Sequence, residues 1–78
     1  MPDTLPLQLL AAGQRARIDQ LLGHPEEVHR LQELGMRVGT SIEMLQSGST
    51  CIVQLDGARL AFRDHEGFRV LVKLGEIG

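Results

Sequence analysis

The chain alternates apolar and polar residues in short bursts, broken by glycine-containing turns, and one stretch departs from that rhythm. From Gln14 to Leu21, Ala16 and Ile18 fall on one side and Arg15, Arg17 and Asp19 on the other, which predicts a half-buried strand. Gly23-His24-Pro25 ends it. Val28, Leu31 and Leu34 then recur at helical spacing and predict an amphipathic helix. Pro25 suits its first position, where a missing N–H costs nothing. Glu26 and Glu27 fall in the first turn, where the helix dipole favours negative charge. At about ten residues, this helix depends on packing for its stability. Gly35 is the expected left-handed stop, with Met36 folding back onto Leu31.

Beyond the turn glycine Gly39 the period returns to two. Ile42 and Met44 share one face, and Ser41 and Glu43 the other. Ser47-Gly48-Ser49 is a turn. Cys51, Val53 and Leu55 alternate with Ile52 and Gln54, and Asp56-Gly57 is a strong hairpin signal. Ala58, Leu60 and Phe62 face one way, against Arg59, Ala61 and Arg63. A polar turn, Asp64-His65-Glu66-Gly67, precedes a last strand carrying Val70 and Val72. The segment Leu5 to Gly13 reads either as a lead-in covering one end of the core or as a short helical turn. The predicted core is Ile18, Val28, Leu31, Leu34, Ile42, Met44, Val53, Leu55, Leu60, Phe62, Val70 and Val72. Five short strands, tight turns and one or two short helices define a mainly β class and a small, strongly bent barrel, which removes exposed edges.

Several of these runs carry a resemblance. Arg30-Leu31-Gln32-Glu33-Leu34-Gly35-Met36-Arg37-Val38-Gly39, followed by the alternating strand Thr40 to Met44, resembles the signature of the FeoA family of ferrous iron transport proteins. Asp56-Gly57-Ala58-Arg59-Leu60-Ala61-Phe62-Arg63 is similar to the family's second signature, and Val70-Leu71-Val72 to its closing strand. The resemblance spans residues 5–74. It implies an SH3-like barrel and a small cytoplasmic accessory or regulatory protein of bacterial ferrous iron uptake. The implied partner is a membrane permease with a GTPase domain, which the chain binds without catalysis. The chain departs from the family where a proline usually opens the third strand, since Thr50 stands near that place. A second expectation is a stand-alone SH3-like regulatory module, like the C-terminal domain of iron-dependent repressors.

Size and charge narrow the classes further. A chain of 78 residues holds one domain, residues 1–78, with one small core. A domain this small buries only about 60% of the surface its unfolded form exposes, so a homo-oligomer is compatible with it. The net charge of −2 and the presence of just two aromatics, Phe62 and Phe68, argue against a nucleic-acid partner. A single cysteine, Cys51, cannot form an intrachain disulfide and fits a reducing compartment. The first residues lack the positive region of a secretory signal. No apolar run approaches the ~20 residues that span a bilayer. A cytoplasmic chain without membrane insertion is expected.

Candidate chemistry is sparse. Close, repeated Cys or His spacing, the mark of a zinc site, is absent. His24 and His29 lie on different helix faces. His29 sits within helical reach of Glu26 and Glu33, and these could hold a divalent ion such as Fe(II) or Zn(II) weakly, although a solvated charged face is the simpler explanation. His65 could add one ligand from its turn. No tightly bound cofactor is expected, and Cys51 reads as a buried, inert thiol. The hydroxyls of Thr40-Ser41 and Ser47 to Thr50 have no motif tying them to a histidine and an acid. Gly35-x-x-x-Gly39 lacks the Lys and Ser/Thr of a phosphate loop. Gly35, Gly39 and Gly57 are therefore structural turn positions. Arg59 and Arg63 share a strand face and make a modest basic strip. Alternation leaves Leu45, Ile52 and Leu71 outside, where clustered apolar groups would mark a partner surface.

Overall fold

The computed structural model describes residues 4–63 and 68–74. In chain order the elements are β1 (Thr4–Pro6), a 3₁₀ turn (Leu7–Leu9), β2 (Arg15–Gly23), α1 (Pro25–Glu33), β3 (Ser41–Gln46), β4 (Thr50–Leu55), β5 (Ala58–Arg63) and β6 (Phe68–Leu74). The strands form one antiparallel sheet in the order β1-β6-β2-β3-β4-β5. The sequence predicts five strands. The sixth is β1, which pairs Leu5 with Val72 on β6. The N-terminal segment thus satisfies both of its readings, as a lead-in strand and as a helical turn. Its Leu7 and Leu10 are 0% and 1% exposed and plug one end of the core.

Alternation settles which face each strand buries. Ala16 and Ile18, Ile42 and Met44, Cys51, Val53 and Leu55, and Val70 and Val72 all enter one cluster. Two bulges, between Ile18 and Gln20 on β2 and between Met44 and Gln46 on β3, break the register. Each adds local twist and helps the sheet curl around that cluster. The curl gives an SH3-like barrel that stops short of closure, because among the described residues β1 and β5 remain unpaired edges.

The helix end corrects one predicted core position. Leu34 is 46% exposed, whereas Met36 is 0% exposed. Three residues of α-helix turn about 300°, so a series at three-residue spacing drifts about 60° per step. Leu31 still faces the sheet, but Leu34 has drifted off the stripe. Gly35, at φ +105°, reverses the chain. Its N–H donates to the Gln32 carbonyl (3.1 Å), and the Met36 N–H donates to that of Leu31 (2.9 Å). This pair of bonds satisfies two orphan carbonyls and delivers Met36 to the core. Val28 and Leu60 are half-buried at the margins of the core. The other predicted core positions are buried.

Candidate functional site

An open groove of about 820 Å³ lies beside that helix stop. One wall is the turn from Gly35 to Thr40, the other the end of β4 and its hairpin at Asp56, and the start of β3 runs between them. The turn is fixed by backbone bonds. The Gly39 N–H donates to Ile18 O (2.8 Å) and the Thr40 N–H to Arg37 O (3.0 Å), and Thr40 O accepts from the Ile18 N–H (2.9 Å). Gly39 has φ +94°.

Two guanidiniums and two carboxylates border the groove. Arg37 Nε donates to the Gln32 carbonyl at 3.1 Å, which places a cation at the C-terminus of α1. Arg15 Nε lies 3.6 Å from Glu43 Oε1 across the β2–β3 pair, with the arginine side chain 82% exposed. An exposed pair of this kind adds little stability, so both groups stay available to a ligand. Asp56 stands on the hairpin turn, where Gly57 has φ +81° and no non-glycine residue takes a positive φ. Gln54 is anchored in place, its Nε2 donating to Leu55 O (2.9 Å) and Ala58 O (2.8 Å). Buried Ile42 and Leu55 contribute the apolar part of the lining. Among the described residues the lining holds no histidine, cysteine or lysine. The surface suits docking of a mixed polar segment.

The metal candidates do not converge. His24 precedes α1 and makes no side-chain cap bond. His29 Nε2 lies 3.8 Å from Glu33 Oε2, both largely exposed. His65 lies outside the described residues. Among the described residues no three His, Cys, Asp or Glu side chains gather to hold an ion. Cys51 is fully buried, and its Sγ is 3.6 Å from the Gly48 carbonyl, in donor geometry.

Leu45, Ile52 and Leu71 are half-buried. Leu71 stands beside Pro6 of β1 and Gln20 of β2. Among the described residues, the large apolar side chains most open to solvent are instead Leu9, Leu22, Leu34, Val38 and Leu74. Two of them, Leu34 and Val38, are sequence neighbours of the lining residues Gly35, Arg37 and Gly39. The residues that sequence reasoning passed over, Arg15, Arg37, Glu43 and Asp56, come from separate strands and turns. Their one sequence signal was the pair of glycines, Gly35 and Gly39, that folds the wall.

A model of the FeoA domain matches residues 5–74. The chain belongs to the FeoA family. Its fold superposes on the crystal structure of an iron uptake regulatory protein (FeoA) with a TM-score of 0.79 and 25% identity, covering 90% of this chain and 96% of that one. The solution structure of a FeoA protein from Chlorobium tepidum gives 0.75 and 29%, covering 95% and 75%. A manganese-dependent transcriptional repressor gives 0.79 at 15% identity, covering 95% of this chain and 44% of that chain, a likeness of fold alone. No curated protein matches the chain with significance. The repressor likeness accords with an SH3-like domain. Among the described residues no helix is long and apolar enough to cross a membrane.

Proposed function

We propose that this FeoA-family chain serves ferrous iron uptake as a cytoplasmic binding protein whose partner is a membrane ferrous iron permease with a GTPase domain. The observation that carries the reading is the family match across residues 5–74. A relative of the same fold at 25% identity is an iron uptake regulatory protein, which supports it. The groove supplies a physical means: an open surface with opposed charges and an apolar portion, with the exposed Leu34 and Val38 adjacent in sequence to the lining residues Gly35, Arg37 and Gly39. A chain of this chemistry influences transport by contact, not by turnover.

The test is Fe(II) uptake under anaerobic iron limitation in a strain lacking this chain. Uptake should fall, and removing the permease as well should add nothing further. Normal uptake in the single deletion would overturn the proposal. A second reading, a regulatory module of the repressor-domain type, draws support from the shared fold. Under that reading the deletion changes transcript levels of iron genes, while uptake per permease molecule stays constant.

A further inference from the structure

The two sheet edges are protected very differently. An edge strand presents unpaired N–H and C=O groups, which proteins blunt with short strands, prolines or bulges. β1 is blunted: it has three residues and ends in Pro6. β5 is not. It has six residues, contains no proline, and pairs with β4 without a register shift from Thr50↔Arg63 to Leu55↔Ala58. Among the described residues no backbone bond reaches it from any element except β4.

The hairpin turn fixes what this edge offers. Across the two-residue turn Asp56-Gly57, the flanking Leu55 and Ala58 form the bonded pair, and bonded pairs then recur at every second residue. Leu60 and Phe62 follow Ala58 in facing β4. Arg59, Ala61 and Arg63 therefore turn their N–H and C=O groups to the open side. The same three residues are exposed, with their side chains on the outer face. The free ladder thus carries a guanidinium on its first and third rungs. Their neighbours on the outer face of β4 are the uncharged Thr50, Ile52 and Gln54; among the described residues the nearest carboxylate across the sheet on that face is Glu43, one strand further and 3.6 Å from Arg15. Gln54 Oε1 accepts from Arg59 Nε at 3.3 Å, a neutral contact, and among the described residues neither Arg59 nor Arg63 makes an ion pair.

This charge pattern discriminates between occupants. A second copy added antiparallel about Ala61, the register that matches all three rungs, would set Arg59 against Arg63 twice. Like charges directly opposite destabilise a strand pair, and opposite charges stabilise it. The edge thus disfavours that pairing with itself and favours a strand with carboxylates opposite both arginines. The intervening residues of such a strand would lie over half-buried Ala58 and Leu60, where apolar side chains gain most. We infer that β5 is a docking edge for an acidic, extended segment of another protein, which adds to the open side of the sheet with acidic and apolar residues in alternation. The inference rests on the geometry of β5 and is independent of the transport reading.

The probe is a capped synthetic peptide of alternating glutamate and valine, about eight residues long to span a typical strand. An alternating lysine–valine peptide is the control, and both are added to the isotope-labelled full chain. The glutamate peptide should slow amide exchange at Arg59, Ala61 and Arg63, and the lysine peptide should not. Joint replacement of Arg59→Glu and Arg63→Glu should weaken glutamate-peptide binding about tenfold and transfer the preference to the lysine peptide. Arg59→Gln with Arg63→Gln should weaken the first without creating the second, and circular dichroism should show both variants folded. Equal binding of the two peptides, protection at the groove instead of β5, or no slowing at the three amides would overturn the inference. So would protection of those amides by raised protein concentration alone, because the occupant would then be a second copy.

Discussion

Substitution of Gly35 separates backbone strain from packing. At φ +105° the residue occupies a region that L side chains rarely adopt, yet an added Cβ would meet only Leu55 Cδ1, at 3.6 Å, an ordinary contact. The cost of Gly35→Ala is therefore conformational, about 1–2 kcal/mol. Gly35→Val adds crowding of a branched side chain, for a total of about 3 kcal/mol. The chain could relax to negative φ instead. It would then lose the bonds from Gly35 N–H to Gln32 O and from Met36 N–H to Leu31 O, each contributing about 1 kcal/mol, and Met36 would lose its buried position. Neither route is cheaper. For a domain of this size each kcal/mol lowers the melting temperature by about 4–8 °C, so Gly35→Ala should melt about 4–16 °C below the parent. Asn tolerates the left-handed region better, so Gly35→Asn should lose less than Gly35→Ala. Thermal melts followed by circular dichroism, with urea titrations to confirm two-state behaviour, give the comparison. An alanine variant within about 2 °C of the parent would refute the strain argument, and an asparagine variant as damaged as the valine one would shift the cause to packing.

Leu34 and Met36 make a paired test of the helix end. Met36→Ala, at a fully buried site, should cost about 2–5 kcal/mol. Leu34→Ala, at a largely exposed one, should cost less than about 1 kcal/mol, and urea denaturation giving the reverse order would refute the placement. Calorimetry of a monomeric sample with Fe(II) or Zn(II) should give only weak binding, because the described carboxylates and imidazoles do not converge. One submicromolar site per chain would contradict this.

Much of the fold was legible because period-two alternation names a face directly. Ile42 with Met44, and Cys51 with Val53 and Leu55, needed only the knowledge that one face of the sheet is buried. Asp56-Gly57 marked its hairpin, and the glycine after Leu34 marked the helix stop. Leu34 misled because three-residue spacing looks helical over one step and drifts over two. β1 was only half legible, since three residues are too few to show a period and the strand exists by virtue of β6. The bulges at Asp19 and Leu45 leave no local trace, so outward positions such as Leu45 could not be placed finely. The groove was hidden for a different reason. Arg15, Arg37, Glu43 and Asp56 come from four separate segments, and charged residues on solvated faces look alike until the topology joins them.

The sheet order has a consequence for how the chain acquires its structure. β6, the last described element to be synthesised, lies between β1 and β2, the first two strands. β1 has no other strand partner, and the Ile18 face of β2 completes its pairing only through Val72. Until the residues up to Leu74 have left the ribosome, Leu5 has no strand to pair with and Ile18 has only part of its cluster to close against. Such pairing between distant segments slows folding and prolongs the exposure of apolar surface. A premature stop anywhere before β6 would therefore do more than shorten the sheet: it would leave the first strand unattached and the second with a bare apolar edge, a fragment suited to aggregation or to proteolysis.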